Sequence, residues 1–159
     1  MSIVLFRVDE RLIHGQVVIG WGHQLRPDRY IVVDSDLSQS AWEQDLYRLG
    51  AGSAEVVFCD IDQGRLDLTE WLAESPRTVL LTRDIAAMRR LGEKGGLEGQ
   101  DVNLGGIHHG PGRREVLTYL HLTEQDVDDL AALGDLGANV SARDLPDAPR
   151  VSLSTLLES

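Results

Sequence analysis

The chain has 159 residues, enough for one domain with a sizeable core, and its single cysteine, Cys59, excludes an internal disulfide and a multi-cysteine metal site. Lysine and arginine total 15 against 26 aspartates and glutamates, and the formal charge of −11 argues against nucleic acid as a partner. No apolar run is long enough to span a membrane, and the first residues lack the pattern of a signal peptide. We therefore expect one cytoplasmic domain over residues 1–159, without direct membrane insertion.

Strand and helix patterns alternate along the chain. Short apolar runs predict strands at residues 3–8, 30–34, 55–59, 78–82, 102–104, 117–122 and 139–143. Helical periodicity and capping residues predict helices at 15–25, 41–50, 67–74 and 85–94, and after Thr123 and Ser152. This alternation predicts an α/β fold: an open, mostly parallel twisted sheet with helices on both faces.

Three of these helices carry an N-terminal capping signal. Ser40 and Glu43 have the spacing of a capping box, and Asp84 and Thr123 each precede an apolar helical pattern. Since such residues satisfy the first backbone N–H groups of a helix, we expect all three helices to begin at these positions.

The stretch from residue 3 to residue 17 carries the main chemical signal. An apolar strand runs into a charged turn, then His14 and Gly15, then a helix. In open parallel sheets ligands bind at the carboxyl ends of strands, and a helix N-terminus there suits an anion. A neutral imidazole is a competent nucleophile, so His14 is a candidate acceptor of a phosphoryl group.

The neighbours of His14 supply what phosphoryl transfer needs, which is mainly fixed donors and cations. Arg11 can lie against the phosphoryl oxygens, and Arg7 is a further candidate phosphate-binding residue. Gly15 and Gln16 can add backbone amides, Gly15 by allowing close approach. Asp9 can hold Arg7 or Arg11, or orient the imidazole. The alternative is a loop histidine beside ordinary surface ion pairs.

Other candidates are weaker. Thr82, at the end of the fourth strand, can donate to a phosphate, although a role at the helix entry is equally reasonable. His108 and His109 favour a structural or partner-contact role over metal binding, since adjacent residues point in different directions. The nearby glycines match neither a dinucleotide fingerprint nor a P-loop, and we expect no cofactor and no metal. Cys59 and three tryptophans, Trp21, Trp42 and Trp71, are expected in the core.

The motif from Arg7 to Val17, followed by Trp21, closely resembles the signature of the EIIB component of the mannose/fructose/sorbose family of the bacterial phosphotransferase system. Residues 29–34, 103–106, 123–127 and 133–137 also resemble segments of this family, so the resemblance covers nearly the whole chain. The stretch 107–114, with His108 and His109, departs from the pattern.

The resemblance implies a protein-Nπ-phosphohistidine–sugar phosphotransferase. Members accept a phosphoryl group from a phosphohistidine of EIIA onto Nδ1 of a loop histidine, and pass it to a sugar bound by the membrane components EIIC and EIID. His14 matches the phosphorylated residue, Arg11 the arginine that contacts the phosphoryl group, and Asp9 the aspartate of the loop; Arg7 also matches.

Two alternatives stay open on the sequence alone: a regulatory phosphocarrier without sugar transport, and a non-enzymatic anion-binding module. If EIIA docks around the first turn, Arg113 and Arg114 are the cations expected to meet it, with Arg7 and Arg11 paired locally.

Overall fold

A computed structural model describes residues 2–158 of the chain. Its main sheet has strands β1 to β5 at Ile3–Val8, Arg29–Val33, Glu55–Cys59, Thr78–Thr82 and Asp101–Leu104, followed by β8 at Asn139–Ala142 and β9 at Val151–Ser152. The order across the sheet is β3-β2-β4-β1-β5-β8-β9, and every pairing is parallel except that of β9 with β8. The predicted open, mostly parallel sheet is confirmed.

The helices lie between the strands in the predicted alternation. A π-helical segment at Gln16–Trp21 continues into α1 at Gly22–Leu25, and the later helices are α2 at Ala41–Gly50, α3 at Ile61–Ala73, α4 at Ile85–Leu91, α5 at Glu124–Asp135 and α6 at Leu153–Glu158. None of the helices within residues 2–158 is both long and apolar enough to cross a membrane.

The two faces of the sheet bury different sets of side chains because successive residues of a strand point to opposite sides. In β2, Ile31 and Val33 pack with α3, α4 and α5, whereas Tyr30 and Val32 pack with residues of the first loop and the helix that follows it. The fully buried strands β2 and β4 have continuous apolar stretches at 30–33 and 79–81, as is typical of parallel sheets with both faces covered.

Three local predictions are wrong. Helix α3 begins at Ile61 rather than residue 67, because Asp60 caps it by accepting from the Gln63 amide at 2.8 Å. The predicted strand at 117–122 is a small antiparallel hairpin outside the main sheet, β6 at Arg114–Leu117 with β7 at Leu120–Leu122. Ser40 precedes α2, but its side chain makes no capping hydrogen bond.

The other two capping predictions are confirmed. The Asp84 carboxylate accepts from the Ala87 amide at 2.8 Å, and Thr123 forms a full capping box with Asp126 at the start of α5. Both helices therefore begin where the sequence places them, and this fixes the exits of β4 and β7.

Candidate functional site

The first loop, residues 9–15, leaves β1 at the carboxyl edge of the sheet, between the ends of two neighbouring strands. The Asp9 amide donates to the Thr82 carbonyl at 3.0 Å, and the Glu10 amide donates to the Gly106 carbonyl at 2.9 Å. The loop is thus tied to the exits of β4 and β5. Its position is the usual ligand-binding edge of this class of fold.

A strained turn shapes the loop. Leu12 has a φ of 57°, a left-handed conformation that is unfavourable for a side chain of this kind, and its amide donates to the Asp9 carbonyl at 3.0 Å. Its side chain is fully buried in the core, and this burial offsets the strain. Sequence reasoning missed this feature, since a leucine gives no sign of positive φ.

Arg7 lies beneath the loop with its side chain fully buried. Its guanidinium donates to the Asp9 carboxylate at 3.1 and 3.2 Å, to the Asn103 side-chain oxygen, and to the Arg143 and Asp144 carbonyls at 2.8 and 3.1 Å. Because the guanidinium donors face acceptors of the protein, Arg7 holds the loop, and its prediction as a phosphate-binding residue is wrong. Burial lowers the pKa of Arg7, although Asp9 opposes that effect.

Gly105 makes room for this arginine. A Cβ at that position would lie 2.3 Å from Nη2 of Arg7, far inside contact distance. The Trp21 ring covers the guanidinium on another side, with its centroid 5.3 Å from Cζ, and the indole N–H donates to the Asp144 carbonyl at 2.9 Å. Trp21 is therefore a core residue, as predicted, and it belongs to the support of the site.

Asp9 connects Arg7 to the histidine. Its Oδ2 faces Arg7 and lies 3.0 Å from Nε2 of His14, while Oδ1 accepts from the Arg11 amide at 3.1 Å. Burial would raise the pKa of Asp9, but His14, Arg7 and the Arg11 amide outweigh burial and lower it below its usual value. Asp9 is thus held as a carboxylate.

His14 presents one ring nitrogen to the protein and leaves the other without a partner. Nε2 is close to Asp9, although the angles fall short of a well-aligned hydrogen bond. Within residues 2–158, Nδ1 accepts from no protein group, and the side chain is 13% exposed. Asp9 therefore favours a proton on Nε2, which leaves the lone pair of the neutral ring on Nδ1.

The helix entry beside His14 offers backbone donors. The His14 carbonyl accepts from the amides of Val17 and Val18 at 3.0 and 2.9 Å, whereas the amides of Gly15 and Gln16 have no backbone acceptor within the described chain. Gly15 is exposed, has an ordinary helical φ of −51°, and a Cβ there would meet nothing within 4 Å. The fold itself does not require this glycine, so the open space above it is available to a ligand.

Arg11 lies in the first loop and differs from Arg7, which lies four residues earlier in β1. It is exposed, and within residues 2–158 its guanidinium makes no hydrogen bond or ion pair. The expectation that Arg11 is paired locally is wrong, whereas that for Arg7 is confirmed. Arg11 is therefore the cation of this loop that remains available to an anion.

Two other expectations are corrected by the contacts. The Thr82 hydroxyl donates its only proton to the Asp84 carbonyl at 2.9 Å and is completely buried, so it serves the helix entry rather than a phosphate. Arg113 is not free, because Nη1 donates to Glu10 at 3.1 Å and to the His108 carbonyl at 2.8 Å. Arg114 is exposed.

Glu10 links the first loop to the segment that departs from the family pattern. Its carboxylate accepts from the backbone amide of His108 and contacts Nδ1 of the same residue, both at 2.7 Å, besides accepting from Arg113. Burial would raise the pKa of Glu10, but the contacts with His108 and Arg113 lower it overall. His108 thus has a structural contact, in line with the preferred interpretation of the sequence.

Cys59 is separate from the site. Burial, together with Asp60 and Asp67, raises the pKa of its thiol to about 12, so the thiol stays protonated and unreactive near neutral pH. Trp71 is buried in the core as predicted, whereas Trp42 is 68% exposed and its assignment to the core is wrong.

The fold and the position of the first loop define an α/β protein whose site lies at the carboxyl edge of a parallel sheet. The family model for the sorbose subfamily IIB component of the phosphotransferase system (PTS) matches residues 3–159, and the chain belongs to this family. The resemblance of the first motif is confirmed. The chain is a PTS EIIB phosphotransfer component of the sorbose/mannose type.

Individual relatives agree with the family model. The N-acetylgalactosamine-specific phosphotransferase enzyme IIB component 1 of Escherichia coli (strain K12) is 29% identical over 147 residues, covering 91% of this chain and 92% of the relative. The mannose-specific EIIAB component of the same strain is 28% identical over an alignment of 160 positions, which covers 99% of this chain and 49% of the relative. The crystal structure of the IIBSor domain of the sorbose permease from Klebsiella pneumoniae has the same fold, with a TM-score of 0.88, 24% identity, and coverage of 100% of this chain and 98% of that one.

Proposed function

We propose that residues 1–159 form one phosphocarrier domain that accepts a phosphoryl group from a phosphohistidine of EIIA onto Nδ1 of His14. The domain then passes it to a sugar held by the membrane components EIIC and EIID. The observation that carries this proposal is the position of the His14 ring: Nε2 lies 3.0 Å from Oδ2 of Asp9, and within residues 2–158 Nδ1 has no protein partner. The name of the mannose-specific EIIAB relative combines an A and a B component, and this supports EIIA as the phosphoryl donor.

Residues of the first loop have a role in the transfer from EIIA to His14. The Nδ1 lone pair attacks phosphorus, the nitrogen–phosphorus bond of the donor histidine breaks, and Nε2 keeps its proton. The ring gains positive charge as the new bond forms, and the Asp9 carboxylate stabilises that charge. In the onward step the sugar hydroxyl attacks phosphorus, the bond between Nδ1 of His14 and phosphorus breaks, and the hydroxyl proton passes to solvent, so His14 returns to its neutral form.

The oxygens of the transferred group need donors during both steps. The unpaired guanidinium of Arg11 and the amides of Gly15 and Gln16 are the groups of the loop that fit this role, and the absence of a side chain at Gly15 leaves room for the phosphoryl oxygens. Arg7 holds Asp9 and takes no part in binding the phosphate.

The two curated relatives named here are specific for N-acetylgalactosamine and for mannose, so family membership supports the chemistry and not the sugar. A cytoplasmic location of the domain is part of this proposal.

Phosphorylation in vitro tests the proposal. Incubation with phosphoenolpyruvate, the general PTS proteins and a matching EIIA should add one acid-labile phosphate to the wild type and none to His14→Ala. A second histidine variant, His121→Ala, serves as the matched control and should label normally. Equal labelling of His14→Ala and wild type contradicts the assignment of His14.

A further inference from the structure

Helix α2 carries a row of exposed apolar side chains. Trp42, Leu46 and Leu49 are 68%, 58% and 81% exposed, and they recur at intervals of four and three residues, which places them on one stripe of the helix. A tryptophan and two leucines on one solvent-facing stripe are unusual for a surface that stays in water, and contiguous apolar patches of this kind mark interaction sites.

The stripe borders a groove that reaches the phosphorylation loop. The groove has a volume of about 320 Å³ and is lined by Ile13, Trp42, Glu43, Leu46 and Tyr47; we call it the α2 groove. Ile13 directly precedes His14 in the chain. One wall of the groove is therefore part of the loop that carries the nucleophile.

The topology explains this juxtaposition. Strands β1 and β2 are both parallel to β4, so they end at the same edge of the sheet. The chain leaves β2 at Val33 and enters α2 at Ala41, so the first turn of α2, with Trp42, lies towards that edge. The stripe then runs from the catalytic edge along the flank of the domain.

We propose that the α2 groove docks the EIIA protein that donates the phosphoryl group. This inference rests on the proposed function, because any donor that brings its phosphohistidine to His14 must cover the first loop and with it Ile13. The part of the donor surface next to its active site then meets Trp42 and Leu46. Aromatic anchors at the centre of such contacts supply much of the binding energy.

The charge of the chain favours an apolar contact with this partner. At −11 the domain repels a phosphorylated donor at long range, and Arg113 is already paired with Glu10. Beside the stripe, Asp45 and Arg48 pair with each other at 3.5 Å. Attraction by burial of apolar surface needs no charge, so it can operate despite this repulsion.

The position of the groove also disfavours a second copy of the chain as its occupant. A stable dimer formed through the groove would cover Ile13, next to the nucleophile, and would exclude the donor. An occupant that leaves after each transfer is compatible with turnover, and the phosphoryl donor is such an occupant.

The test is transfer from phosphorylated EIIA to Trp42→Ala/Leu46→Ala, measured over a range of EIIA concentrations. The second-order rate constant should fall by about tenfold to a hundredfold, as for loss of a central aromatic anchor, while the rate at saturating EIIA stays near wild type. Leu66→Ala is the matched control, since Leu66 is also 68% exposed but lies on α3. It should transfer like the wild type.

Binding without transfer separates this inference from the proposed function. Titration of unphosphorylated EIIA into His14→Ala should change tryptophan emission, and Trp42→Phe in that background should remove most of the change, because Trp21 and Trp71 are buried. No label on the wild type would overturn the proposed function. A labelled wild type with unchanged concentration dependence in the double variant overturns the docking inference alone. So does a wild-type dimer that the double variant disrupts, or a loss confined to onward transfer to the sugar.

Discussion

Arg7 and Arg11 lie four residues apart, Arg7 near the end of β1 and Arg11 in the first loop, and the fold uses them in opposite ways. The guanidinium of Arg7 is completely buried and donates to Asp9, Asn103 and two backbone carbonyls. The guanidinium of Arg11 is exposed and has no partner within residues 2–158. Near His14, one arginine therefore holds the structure of the first loop, and the other remains available to an anion.

The difference follows from burial. A charge inside the protein must be matched by acceptors because it has lost its water, and a guanidinium so matched has no capacity left for a ligand. A guanidinium at the surface keeps its water until an anion replaces it. Proximity in sequence to His14 is thus a poor guide to which cation meets the phosphate.

Replacing Arg7 should have the largest effect, on stability. Arg7→Met keeps much of the side-chain volume but leaves the Asp9 carboxylate and the Asn103 amide buried without their main partner. We expect the free energy of unfolding to fall by about 3–5 kcal/mol, the range for breaking a buried ion pair by removing one member. Urea unfolding followed by circular dichroism measures the change.

Arg114→Met is the control for this substitution, since Arg114 is exposed and lies outside the first loop. It should change the free energy of unfolding by less than about 0.5 kcal/mol, as for an ordinary surface position. A similar loss of stability in both variants would mean that the buried network around Arg7 contributes little.

Replacing Arg11 should act on transfer instead. Arg11→Ala should leave the unfolding curve unchanged and slow transfer to His14 by about two orders of magnitude, the usual result of removing one preorganised donor from a charged transition state. Arg11→Lys should recover part of the rate, since lysine supplies charge without the planar fork. Rapid-quench measurement of phosphohistidine gives the rate.

Arg11→Ala should therefore change the transfer rate and not the free energy of unfolding. If Arg11→Ala transfers at the wild-type rate, the amides of Gly15 and Gln16 suffice for the phosphoryl oxygens. If it also unfolds more easily, Arg11 has a structural role that the contacts around it do not show.

Much of the fold could be predicted because its signals are local. Residues 30–33 and 79–81 are uninterrupted apolar runs, and Asp84 and Thr123 cap their helices through contacts three residues away. The start of α3 at Ile61 was missed because its first turns, with Gly64 among polar residues, have weak helical periodicity. The exposure of Trp42 was not predicted, because sequence spacing shows which residues share one face of a helix but not whether that face is turned to the core.

In the candidate site, too, the local features could be predicted from the sequence and the long-range contacts could not. His14, Asp9 and Arg11 were identifiable from one contiguous motif, and the structure brings Asp9 to both His14 and Arg7. The partners of Arg7 were not predictable, since Asn103, Arg143 and Asp144 are about 100 residues or more away and two of them act through backbone carbonyls. The pairing of Glu10 with His108 and Arg113 depends on the same kind of long-range contact.

The smallest effect is expected at Glu10, which is partly exposed yet joins the first loop to residues 108 and 113. Glu10→Gln keeps the shape and removes the charge, so it should lower the free energy of unfolding at neutral pH by less than about 1 kcal/mol, because solvent screens the contacts of a half-exposed group. Urea unfolding at several pH values measures the effect.

The pH dependence gives the sign of this effect. The pKa of Glu10 is lowered in the folded state, so its contribution is present above the pKa of an unfolded glutamate, about 4.3, and is lost as the pH falls through the lower folded value. The stability difference between wild type and Glu10→Gln should therefore be constant near neutral pH and should shrink below about pH 4. Asp9 titrates in the same direction but is present in both proteins, so its contribution cancels in the comparison. A difference that grows on acidification would mean that Glu10 is destabilising as a carboxylate, and that the link to His108 and Arg113 does not hold the loop.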